Sequence, residues 1–152
     1  MNYLKAATDG TVEMLSMMMG IDADSVTITM DKSLDNPFIS GIISFFHNEH
    51  KGIIGIRFRK DGACILVSQM LGMEKDEVDE ETLQDGIGEI ANIVSGQVKN
   101  LLQSPQSSFV ISLPSIIIGI NHQISSFKKT VSSSSVLSSS DWEFEVFIQL
   151  SE

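Results

Sequence analysis

Residues 79–105, DEETLQDGIGEIANIVSGQVKNLLQSP, decide how the rest of the chain is read. Leu83, Ile87, Ile90, Val94, Val98 and Leu101 follow one another at steps of 4, 3, 4, 4 and 3 residues. That spacing winds them into one continuous apolar stripe on a long α-helix starting near Asp79. Acidic residues crowd its approach (Glu74, Asp76, Glu77, Asp79, Glu80, Glu81), where the positive end of a helix dipole stabilises them. The helix must end before Pro105, which has no N–H to donate and a ring that clashes with the preceding turn.

Working outward, residues 2–19 predict a second helix, with Leu4, Ala7, Thr11, Leu15 and Met18 at helical spacing and Gly20 as its stop. Ser25–Asp31 alternates Val26, Ile28 and Met30 with threonines, the pattern of a half-buried strand. Asp35-Asn36-Pro37 is a turn. Phe38–His47 and Lys51–Lys60 form two strands around Asn48-Glu49-His50, a hairpin. Asp61 is placed to cap a short apolar helix from Gly62 to Leu71.

On the other side, Phe109–Leu113 predicts a strand, followed by Pro114 and the apolar segment Ile116–Ile120. In the last strand Trp142, Phe144, Val146, Ile148 and Leu150 face one way, with acids or Gln mostly on the other. Residues 125–140 hold nine serines, a low-complexity composition, yet Val131, Val136 and Leu137 argue for a thin edge strand paired with the last one. No linker divides the chain. The expected fold is a single α/β (α+β) domain over residues 1–152, with a long, mostly antiparallel sheet against two main helices.

Composition narrows the function. With 42% apolar and 20% charged residues, the chain builds a core without metal or disulfide staples. Its one cysteine, Cys64, fits a reducing compartment. Asp9 and Glu13 stand where a secretory signal needs positive charge and an apolar run, and no apolar run approaches the roughly 20 residues that span a bilayer. A cytoplasmic protein is expected. Twenty acidic against 10 basic residues give a net charge of −10, the wrong sign for nucleic acid or an anionic membrane surface.

The side of the long helix away from its stripe carries Asp85, Glu89, Asn92 and Lys99, spaced by 4, 3 and 7 residues and therefore in one row. Such a row is ordinarily a solvated face. Three glycines inside the same helix, Gly86, Gly88 and Gly96, each cost on the order of 1 kcal/mol relative to Ala. Gly96 projects with Glu89 and Asn92, so a partner backbone approaching that face is one explanation. Tight packing against a neighbouring helix explains Gly86 or Gly88 at least as well.

Asp85-Gly-Ile-Gly-Glu89-Ile-Ala-Asn92-Ile-Val-Ser-Gly96 resembles the signature helix of the CheX/CheC/FliY chemotaxis phosphatase family: an Asp or Ser, three residues, Glu, two residues, Asn, and a later Pro, here Pro114, 22 positions after Asn92. The resemblance implies hydrolysis of the phosphoaspartate on a CheY-like receiver domain. It implies that Asn92 orients the attacking water and that Glu89 pairs with the receiver's active-site lysine. Asp85, Gly96 and Lys99 would be partner contacts, and Pro114 would shape the bordering loop. Magnesium would come with the receiver, and this chain would hold no cofactor or metal of its own. Asp9-Gly-Thr-Val-Glu13-Met-Leu-Ser16 repeats the motif spacing 76 residues earlier, but Ser16 replaces the amide, so this copy is expected to be inactive. One intact motif is similar to CheX-like members, which form homodimers. The stretch Val131–Ser140 departs from the family in lacking Pro and Gly, which puts the edge geometry and dimer mode in question. The competing expectation is a non-catalytic module that docks a response regulator or a flagellar switch protein, or serves dimerisation.

Other candidates have plainer expectations. His47 and His50 flank a turn and His122 stands alone, with no zinc-like spacing, so surface histidines are expected. Cys64 lies in an apolar helix and is expected to be a core thiol. Met17–Met19 fit core gaps or an adaptable partner surface.

Overall fold

The structure is a computed structural model and describes residues 2–125 and 129–151. Helix α1 (Tyr3–Met19) begins at Asn2, whose side chain accepts the Lys5 N–H at 2.9 Å, and ends where Gly20 takes the left-handed conformation. Strand β1 (Thr27–Met30) follows. Strands β2 (Ile39–His47) and β3 (His50–Phe58) form a hairpin with His47 opposite His50 and Asn48 at φ 55° in the two-residue turn. Helices α2 (Lys60–Leu71) and α3 (Glu80–Leu102) come next, then the short strands β4 (Phe109–Ile111) and β5 (Ser115–Ile118). The long strands β6 (Thr130–Ser138) and β7 (Glu143–Ser151) end the chain.

All strand pairs are antiparallel. The order across the sheet is β1-β6-β7-β3-β2, with β4 and β5 paired in succession along the outer side of β2. Both long helices lie on one face. Helix α1 covers β6 and β7, where Thr8 Oγ1 meets Ser135 Oγ at 2.9 Å in the interior, and α3 covers β2 and β3. Gly41 lets β2 come up under α3, because a Cβ there would stand 3.1 Å from that of Ala91. Leu4, Ala7, Leu15, Leu83, Ile87, Ile90, Val94 and Val98 meet Ile39, Ile43, Ile54, Ile56, Phe58, Phe144, Val146 and Ile148 in one core.

Several expectations are corrected. Met18 and Leu101 leave their stripes and stand exposed, each in the last turn of its helix. Residues 25–31 give a strand only over Thr27–Met30, and it is exposed throughout, because β1 is an edge beyond the reach of the helices. Strand β6 is not the edge, since β1 pairs with its far side. The serine-rich stretch is therefore a nine-residue strand from Thr130, while residues 126–128 of it lie outside the described residues. Asp61 caps nothing: the N-cap of α2 is Arg59, and Asp61 sits in the first turn, paired with Lys75.

Strand β7 is buried on both faces rather than one. On the face away from the helices, Glu145 is 2% exposed and accepts the Leu34 N–H at 2.6 Å, which straps the loop before β2 onto the sheet. Burial pushes its carboxyl up, opposed by that hydrogen bond and by Arg57, whose guanidinium lies 3.5 Å away and stacks over Phe147. Gln149 donates to the Ile124 carbonyl at 3.2 Å. Loops thus cover what alternation marks as a solvent face.

Candidate functional site

Helix α3 starts at Asp79, whose carboxylate accepts the Thr82 N–H at 2.8 Å; hydrogen bonding by Thr82 holds that carboxyl below its usual range. From there the stripe seats the helix on the core and leaves one row outward. Asp85 and Glu89 are exposed, while Asn92, Gly96 and Lys99 are partly buried. Among the described residues the side chains of Asp85, Glu89 and Asn92 hold no hydrogen bond or ion pair. Glu89 and Asn92 stand one turn apart with free polar ends. Lys99 lies two turns beyond, in the last turn, where its charge suits the negative end of the helix dipole.

At about 100° per residue, Gly86 and Gly88 flank this row on opposite sides. On one side α2 crosses: a Cβ on Gly86 would lie 2.6 Å from Val67 Cγ1. Close helix packing accounts for Gly86. On the other side the β4–β5 connection runs past, and a Cβ on Gly88 would meet Ile116 Cδ1 at 3.7 Å and Pro114 Cγ at 3.8 Å, an ordinary contact. Pro114 therefore borders the helix beside Glu89. Nothing lies within 4 Å of a Cβ on Gly96, so no packing inside this chain calls for a glycine there.

Met70, Leu71, Thr82, Asp85, Gly86 and Glu89 line a shallow recess between the end of α2 and the row. Leu71 is 51% exposed, and Leu113, beside Pro114 on the opposite flank, is 85% exposed. The sequence gives no signal for these two leucines, because only the crossing of α2 and the path of the β4–β5 connection bring them to the motif.

On α1, Asp9, Glu13 and Ser16 are likewise exposed in one row, with Asp9 held by Lys5 at 2.6 Å. The histidines differ from expectation. His47 is 1% exposed, with Nδ1 2.9 Å from Tyr3 Oη, and His122 is half-buried, with Nε2 2.6 Å from Ser40 Oγ and Nδ1 2.9 Å from the Gly119 carbonyl. Only His50 is a surface residue. Cys64 is half-buried, and burial raises its thiol, unsuited to a nucleophile. No group of three or more His, Cys, Asp or Glu side chains that could hold a metal occurs among the described residues. Nor is any helix among them long and apolar enough to cross a membrane.

An antiparallel sheet carrying two long helices on one face places the chain among CheC-like folds. The family model of the chemotaxis phosphatase CheX matches residues 39–136, and the chain belongs to that family. It is similar in structure to a CheC-like superfamily protein from Shewanella sp. PV-4 (TM-score 0.82, 25% identity, 100% of both chains). It is also similar to a chemotaxis protein CheX from Desulfovibrio desulfuricans (TM-score 0.79, 26% identity, 99% of both chains). The fold is shared as well with CheX in the CheX–CheY–BeF3–Mg2+ complex from Borrelia burgdorferi (TM-score 0.81, 23% identity, 99% of both chains). No curated protein sequence matches the chain.

Proposed function

We propose that this protein hydrolyses the phosphoaspartate of a CheY-like receiver domain through the outer face of α3. The observation that carries the reading is the pairing of an exposed Glu89 with a partly exposed Asn92 one turn on, both unpartnered, in a member of the CheX family. An acyl phosphate is already reactive, so a catalyst mainly has to place water in line with the scissile bond. A carboxamide suits this, offering an acceptor for a water proton and donors toward a phosphoryl oxygen. Asn92 orients the water. The water's oxygen bonds to phosphorus as the phosphorus–acyl oxygen bond breaks, the electron pair returns to the aspartate carboxylate, and inorganic phosphate leaves carrying the water's two protons, one of which it gives up to solvent. Glu89 pairs with the receiver's lysine and fixes the docking. The receiver's own magnesium neutralises charge on the phosphoryl group. Gly96, with open space around it, lets receiver backbone come close, and Asp85 and Lys99 lie at the margins of the contact.

The protein acts in the cytoplasm as a homodimer in this reading. Strand β1 leaves a free edge with Ile28 and Met30 exposed, which supports pairing with a second copy there rather than along the interior β6 and β7.

The test is loss of aspartyl phosphate from a panel of CheY-type receiver domains of the same organism, with and without the protein. Wild type speeds the loss for at least one receiver, and Asn92→Ala removes on the order of 100-fold of the gain. Full activity in Asn92→Ala would sink the assignment of the water-orienting residue. Binding of a phosphorylated receiver without hydrolysis would make the protein a docking module instead.

A further inference from the structure

We infer that Leu71 and Leu113 are the apolar shoulders on which the receiver seats, one on each side of Glu89 and Asn92, and that they set its affinity; the inference rests on the function proposed above.

The polar row cannot supply much affinity alone. An exposed ion pair such as Glu89 with a partner lysine contributes little in water. Even a transient complex needs apolar groups that desolvate around its charged centre. The fold offers one on each flank. Leu71 ends α2 and lines the same recess as Asp85 and Glu89. Leu113 precedes Pro114, which abuts α3 at Gly88, on the side of the helix where Asn92 points. Both stand largely in solvent, and neither is required by the core.

Charge decides the occupant. Asp85 and Glu89, exposed between the shoulders, make no ion pair among the described residues, and the start of α3 adds Glu80 and Glu81. The complement is a surface with a lysine set between apolar segments. A second copy of this chain would set one acidic face against another on a protein of net charge −10. A receiver presenting its active-site lysine fits.

The experiment compares wild type, Leu71→Ser, Leu113→Ser and the double variant, with thermal melting as the fold control. Initial rates are read against the concentration of phosphorylated receiver, and binding of beryllofluoride-activated receiver is read by fluorescence anisotropy. Each single variant raises KM and Kd about 5-fold, and the double variant does so by more than about 10-fold, with kcat within about twofold of wild type. A double variant with wild-type KM and Kd overturns the inference while leaving the phosphatase reading intact. Conversely, if wild type binds the activated receiver without hydrolysing its phosphate, the phosphatase reading falls and the anisotropy series still decides the shoulders. If the leucines affect only self-association in analytical ultracentrifugation, a second copy covers this face and the inference is wrong. If no receiver binds at all, both fall.

Discussion

Val67 of α2 stands so close to Gly86 of α3 that a methyl group added to the glycine would lie 2.6 Å from Val67 Cγ1 and 2.7 Å from Cγ2. This crossing carries the end of α2, with Met70 and Leu71, to the side of Glu89. Gly86→Ala gains about 1 kcal/mol of helix propensity. It must also push a fully buried, β-branched side chain that has little rotamer freedom to retreat. Overpacking costs about 1–3 kcal/mol, so the variant should be net destabilised by urea denaturation. A stabilised Gly86→Ala would mean that α2 yields at the crossing.

Gly96, ten residues along the same helix, should behave in the opposite way. A Cβ there meets nothing within 4 Å, so Gly96→Ala should stabilise by about 1 kcal/mol and raise Tm by about 2–4 °C. If the receiver backbone approaches this position, the same variant should bind the activated receiver more weakly. A variant that is more stable and binds equally well would leave the glycine without a role in docking.

These two glycines also show where sequence stops being informative. Both break helix propensity equally on paper, and only the crossing of α2 separates a packing glycine from an open one. Helix α3 itself was legible because its stripe from Leu83 to Val98 repeats at helical spacing and all five residues are buried. Glu89 and Asn92 were legible because the same spacing fixes which side faces out. Strand position was not. The alternation in Val26–Met30 is the same whether a helix covers the strand or, as here, it lies at the sheet edge. Glu145 and Gln149 mark a solvent face by polarity, yet loops arriving from Leu34 and Ile124 bury both. Neither loop is adjacent to them in sequence, so local pattern carries no trace of the cover.

His47 provides a test in pH. Burial, with His50 nearby, lowers its pKa from the ordinary value of 6.5. Its Nδ1 is engaged with Tyr3 Oη, and its Nε2 is buried without a partner among the described residues. The folded state therefore binds fewer protons here than the unfolded chain, and the stability this histidine contributes is present above about pH 6.5 and lost as pH falls below it. His47→Phe keeps an aromatic ring beside Phe109 and Tyr3 and removes the titration. Denaturation series between pH 7.5 and 5, in steps of about half a unit, should show a steeper acid loss for wild type than for His47→Phe. Parallel profiles would place the proton uptake elsewhere.

The motif copy on α1 should be silent. Asp9, Glu13 and Ser16 share an outward row, as Asp85, Glu89 and the partly buried Asn92 do, so facing outward does not by itself separate the two helices. Chemistry does. The Ser16 hydroxyl is shorter than a carboxamide and cannot present an acceptor and two donors at the distance Asn92 reaches. Asp9 is drawn to Lys5 one turn back, which leaves this helix with a charge balance unlike that of α3. Glu13→Ala and Ser16→Ala should accordingly leave kcat/KM for the phosphorylated receiver within about twofold of wild type, whereas Asn92→Ala loses on the order of 100-fold. The sharper comparison is made in the Asn92→Ala background, where adding Glu13→Ala should remove nothing further. A residual rate that vanishes with Glu13 would show that α1 catalyses after all, and that an amide is not essential to placing the water.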